Sequence, residues 1–102
     1  MYRYTTPTIP ITIDDLDFDD VARFRVAIEQ GSLEMLKIVE VTSTAVDPET
    51  KTIYVPLTQE ETAAFKDGMV EVQVRVVFTS GAVQATKKAK LSVHDVLDEV
   101  II

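Results

Sequence analysis

The sequence predicts an all-β fold: first an immunoglobulin-like antiparallel β-sandwich of six or seven strands with one short helix near residues 59–66, and second a small barrel, since strand count alone does not separate the two. Three observations point there. Apolar residues recur with a period of two along most of the chain, the spacing that places alternate side chains on one face of a strand. Turn-forming residues punctuate those runs at intervals of roughly 8–12 residues, the rhythm of a sandwich. Helical segments do not alternate with the strands, so the crossover helices that a parallel sheet needs are missing.

In the first run Ile9, Ile11 and Ile13 alternate, with Pro10 between them. Proline cannot donate to a ladder, so this strand is expected at a sheet edge. Ala22, Phe24, Val26 and Ile28 are expected on one face of the second strand, with Arg23, Arg25 and Glu29 on the other. Gly31-Ser32 then reads as a two-residue type II′ hairpin. Leu33 to Ser43 has mixed parity, since Leu36 and Ile38 break the phase of Leu33, Met35, Val39 and Val41. Two readings stay open: a strand covered on both sides, or a bulge midway. Asp47-Pro48-Glu49-Thr50 reads as a type I turn, and Ile53, Val55 and Leu57 resume the alternation.

Thr58-Gln59-Glu60-Glu61 matches a capping box, Thr58 capping and Glu61 reaching back. The helix it starts is expected to run about two turns, pack Ala64 and Phe65 inward and stop at Gly68. Val70, Val72, Val74, Val76 and Phe78 then form an unbroken inward face opposite Glu71, Gln73 and Arg75. Ser80-Gly81 turns the chain into a last strand carrying Val83, Ala85, Ala89, Leu91 and Val93. Lys87 interrupts its parity, the sign of a bulge or of a strand leaving the sheet. Repeats, low-complexity tracts and linkers are absent, so residues 1–102 are expected to form one domain.

Composition narrows the chemistry. Lys plus Arg is 10 and Asp plus Glu is 17, a net charge of −7. That balance argues against nucleic acid as a partner, because phosphates would be repelled. With no cysteine and one histidine, thiolate catalysis, a disulfide framework and Cys- or His-rich metal sites are excluded. The start of the chain lacks an apolar signal region, and no run approaches the roughly 18 apolar residues of a membrane span. No membrane partner, cofactor or catalytic residue is expected.

The candidate sites are therefore few. Asp14, Asp15, Asp17, Asp19 and Asp20 are dense enough to suggest a hard cation, with Asp15, Asp17 and Asp19 spaced like the start of an EF-hand loop. However, Asp20 stands where that loop needs Gly and Val26 where it needs Glu, so a polar turn anchored by Phe18 is preferred. His94 has no visible catalytic partner. Glu60-Glu61 and Asp98-Glu99 read as capping or solvated pairs. Lys87, Lys88 and Lys90 read as edge protection rather than a binding patch. Val96, Leu97, Val100, Ile101 and Ile102 make an apolar terminus, which must either fold back on the core or dock on a partner. Tyr2 and Tyr4 pose the same choice, and together with those five residues they form the candidate partner-binding set.

Several motifs carry a resemblance across nearly the whole chain. They are Thr5-Thr6-Pro7-Thr8, Leu57-Thr58-Gln59-Glu60-Glu61-Thr62 with Phe65, Val72-Gln73-Val74-Arg75-Val76, Ser80-Gly81 with Ala85, and Ser92-Val93 with Asp95-Val96-Leu97. In this order the chain resembles short proteins encoded in prophage and phage structural regions of Gram-positive bacteria. Its pattern is similar to the small Ig-like N-terminal sandwich domains of phage baseplate proteins. The resemblance implies a non-enzymatic structural or accessory role in tail or baseplate assembly, through contacts with copies of itself or other virion components. The expected location is the virion, or the host cytoplasm when expressed from a prophage. The alternative is a ligand- or carbohydrate-binding sandwich at a bacterial surface, for which Tyr2, Tyr4 and Tyr54 would have to cluster on one exposed face.

Overall fold

The computed structural model describes residues 1–102 as an antiparallel β-sandwich. One sheet has three strands in the order β1 (Thr8–Thr12), β5 (Thr52–Pro56), β4 (Val46–Asp47). The other runs β3 (Leu33–Glu40), β2 (Val21–Gln30), β6 (Gly68–Phe78). The far edge of β6 is shared by β7 (Val83–Ala85) and β8 (Ala89–Val93). In the immunoglobulin order the second and third strands belong to different sheets; here they are hairpin neighbours, and what the structure establishes is the antiparallel sandwich. No helix is long and apolar enough to cross a membrane.

The alternation in β2 and β6 builds the core. Phe24, Val26 and Ile28 meet Val70, Val72, Val74 and Val76 on the inner face, and Ile53, Val55, Leu57 and Phe65 close over them. β1 is an edge strand, as Pro10 predicts. Leu57 N–H donates to Pro7 O and Ile13 N–H to Lys51 O. This phase aims the backbone of Ile9 and Ile11 at β5 and leaves Pro10 on the free edge, where a missing donor breaks no ladder bond. β2 and β3 join through Gly31-Ser32, with Gly31 at φ 59°, the left-handed first position of a type II′ turn.

Several local expectations are corrected. Between Val21 and Arg23 the β2–β6 register shifts by one residue. The bulge puts Val21 rather than Ala22 in the core. β3 is neither bulged nor covered on both sides: its register with β2 is continuous, and Leu36 and Ile38 face outward, 48% and 44% exposed. The helix α1 spans Gln59–Ala64, shorter than the expected 59–66, and Phe65 ends it in an extended conformation. Gly68, at φ 135°, instead opens β6. Ala64 is exposed, and Thr62 takes the buried place beside Phe65.

The last strand divides at Thr86–Lys88. Gly68–Val72 pair with Val93–Ala89, but Arg75 pairs with Ala85, so one extra residue lies on the outer strand. Thr86 stitches this bulge. Its N–H donates to Val74 O, and its Oγ1 accepts from Val74 N–H at 3.1 Å. The bulge inverts parity, so Val83 and Ala85 face outward although Leu91 and Val93 face the core.

Candidate functional site

The two chain ends meet at one end of the sandwich, beside α1. Met1 O accepts from His94 N–H, and Arg3 N–H donates to His94 O, so the first residues lie parallel to the end of β8. The N-terminal ammonium donates to Ser92 O at 2.6 Å. The Tyr2 and His94 rings stand 5.4 Å apart. This accounts for His94: it is an exposed strand-end residue whose ring meets that of Tyr2 at a tilt of 45°.

Arg3 is the hub of this end. Its guanidinium donates to Asp95 Oδ1 at 2.8 Å, to Glu99 Oε1 at 3.3 Å and to the Ala63 carbonyl at 2.8 Å. The Asp95 hydrogen bond, opposed by partial burial and helped by the Asp95 and Glu99 charges, raises the guanidinium pKa above its ordinary value. The group is fully charged at any pH at which the protein folds. Its Cζ lies over the Tyr4 ring, 5.2 Å from the centre, a cation–π contact. Tyr4 itself sits at φ 58°, in the left-handed region. A non-glycine residue held there costs about 1–2 kcal/mol, and local bonds hold the turn: Thr5 Oγ1 donates to Tyr2 O, while Thr5 N–H donates to Thr62 Oγ1.

Helix α1 forms the floor. The capping box is complete, with Glu61 N–H donating to Thr58 Oγ1 and Thr58 N–H to Glu61 Oε1. Glu61 also takes Lys37 Nζ on both oxygens at 2.9 Å, fastening α1 to β3. Partial burial pushes the Glu61 carboxyl up, but Lys37 and the Thr58 N–H together outweigh it and hold the pKa below its ordinary value. Gln59 clamps the terminus: its Nε2 donates to Ile102 O at 2.7 Å and its Oε1 accepts from Ile102 N–H at 2.9 Å. The side-chain amide thus imitates a backbone partner.

The tail is therefore held in place without being part of the core. Val96 is half-buried, whereas Leu97, Val100, Ile101 and Ile102 are exposed, Leu97 and Ile102 almost completely. Tyr2 is 57% exposed and Tyr4 is half-buried. The structure thus brings the candidate partner-binding residues from both termini to one end, and fold-back into the core is excluded for the last residues. Sequence reasoning missed Arg3, Gln59 and Thr62, which hold this end together. Their partners lie 43 to 96 residues away, so no local signal marks them.

The other candidates stay apart from it. Asp17 caps a 3-10 turn at Phe18–Asp20 through Asp19 N–H, with Leu16 and Phe18 buried beneath. Asp15, Asp17 and Asp19 do not converge, and no group of three or more acidic or histidine side chains is arranged to hold a metal. Tyr54 borders a separate depression with Val41, Thr42 and Pro48 and shares no aromatic platform with Tyr2 and Tyr4. A groove of about 450 Å³ lies between the free edge of β1 and β8, floored by Val72 and Val74 and rimmed by Lys87 and Lys90. It holds no carboxylate or imidazole.

Comparison with protein-family models, curated proteins and solved structures finds no match for this chain.

Proposed function

We propose that this chain is a phage or prophage structural or accessory protein that works by protein–protein contact in tail or baseplate assembly. The observation that carries this reading is the fixed display of apolar side chains on the tail. Here Arg3 and Gln59 anchor the last residues, and Leu97, Val100, Ile101 and Ile102 are presented to solvent at the end of the sandwich that also carries Tyr2. Apolar and aromatic residues gathered on a fixed scaffold are the makings of an interface core. The partner class, other virion components or copies of the chain, comes from the resemblance of the sequence motifs. The location is then the virion, or the host cytoplasm when the chain is expressed from a prophage.

A carbohydrate-binding role has less support, because the tyrosines that would form its platform are divided between two places. Truncation after Leu97 tests the favoured reading. The intact chain is expected to co-sediment with tail or baseplate components, and the shortened chain is not. Equal co-sedimentation, or none by either, contradicts it.

A further inference from the structure

The strand register writes a charge pattern across the outer face of the β3-β2-β6 sheet. Glu34 stands opposite Glu29, Glu29 opposite Glu71, and Glu71 opposite Lys90, so three carboxylates lie abreast. Two residues along, the paired residues are uncharged, Leu36, Ala27 and Gln73, and Lys88 lies beside Gln73 at the end of the row. Two further along, Ile38, Arg25, Arg75 and Ala85 form a row with two arginines directly opposed. Like charges directly opposite on a sheet are destabilising. Neither the three glutamates nor the two arginines make an ion pair within the chain. Leu36 and Ile38 are left exposed on the same face, Leu36 at a shallow depression of about 500 Å³ between the acidic and basic rows that Lys88 also lines.

We propose that this face is a self-complementary interface on which a second copy of the chain packs, sheet against sheet, about a two-fold axis lying along the neutral row. The symmetry decides the partner. Rotation about that axis turns the copy to face the first and reverses the strand direction. The acidic row of each copy then lies over the basic row of the other. Glu29 faces the second copy's Arg25, and Glu71 its Arg75, while the neutral rows meet at the centre. The acidic and basic rows are four residues apart, roughly 13 Å at the rise of a strand. Twisted sheets packing about 30° off parallel keep facing rows in register near the axis. An acidic ligand would satisfy the arginines but not the glutamates, and a cationic one the reverse. A second copy pairs both arginines with Glu29 and Glu71 and lays Glu34 over Ile38 at the rim.

This inference rests on strand register and is independent of the phage reading and of the tail. Its test is charge reversal followed by mixing, read as mass in solution. The intact chain is expected at twice 11.4 kDa, dissociating as salt is raised. R25E/R75E and E29R/E71R are each expected to be folded monomers, since each faces its own copy with like charge. Mixed together they are expected to give a dimer containing one of each. Truncation after Leu97 is expected to leave the dimer unchanged, which separates this face from the terminal one. A monomeric intact chain at high micromolar concentration, variants that still self-associate, or a mixture that stays monomeric would overturn the proposal.

Discussion

Arg25 and Arg75 stand directly opposite each other across β2 and β6, and no carboxylate of the chain pairs with either. In an isolated subunit this arrangement lowers stability. Arg75→Thr removes one charge and supplies a good strand former, so it should raise the stability of dilute, monomeric protein by about 0.2–1 kcal/mol. At high protein concentration the ranking should reverse, because the arginine then gains a partner. Chemical denaturation at two protein concentrations checks both halves.

Arg3 ties the N-terminus, α1 and the tail together. Arg3→Ala should cost about 1–2 kcal/mol. That is less than three charge-assisted bonds could supply, because Asp95 and Glu99 are each 52% exposed and regain water. Glu99→Gln alone should cost no more than about 0.5 kcal/mol. The distinguishing readout is hydrogen exchange: Arg3→Ala should speed exchange at Ile102 N–H and His94 N–H while leaving β2 and β6 protected.

The Lys37–Glu61 pair gives stability a defined acid limb. The Glu61 carboxyl ordinarily titrates near 4.5 and is held lower in the folded chain. The unfolded state therefore takes up its proton first on acidification. The contribution is complete above about pH 4.5 and is lost as pH falls through the folded value. Lys37→Met should reduce stability by at most about 1 kcal/mol at pH 7, and the deficit should shrink by pH 3. Urea midpoints of the two proteins at both pH values measure it.

Thr86 holds the bulge that divides β7 from β8. Thr86→Val removes the acceptor for the Val74 N–H and should cost about 1–3 kcal/mol, the penalty of a part-buried donor left unpaired. If the Thr86 hydroxyl is dispensable, the thermal midpoint will not move.

The parts of the fold legible in sequence are those set by neighbouring residues. Gly31-Ser32, the Thr58–Glu61 capping box and the Val70–Val76 alternation act within a few residues, and the structure contains each of them. What was illegible depends on pairing between distant segments. The bulge at Val21 exchanges Ala22 for Val21 in the core, and the bulge at Thr86 turns Val83 and Ala85 outward. The Lys87 interruption signals the second bulge but not that the strand beyond it changes face. Leu36 and Ile38 look as if they need covering, and the fold leaves them bare. At the terminal end, the apolar tail and the tyrosines were visible as residue types. Their anchoring by Arg3 and Gln59 was not, because those bonds join segments far apart in the chain.

A chain that serves in tail or baseplate assembly is retained in the finished particle. The most direct measurement is mass spectrometry of purified particles released from the host that encodes it. The chain is expected in those particles at a fixed ratio to tail or baseplate proteins. Complete particles that lack it would rule out an assembly role.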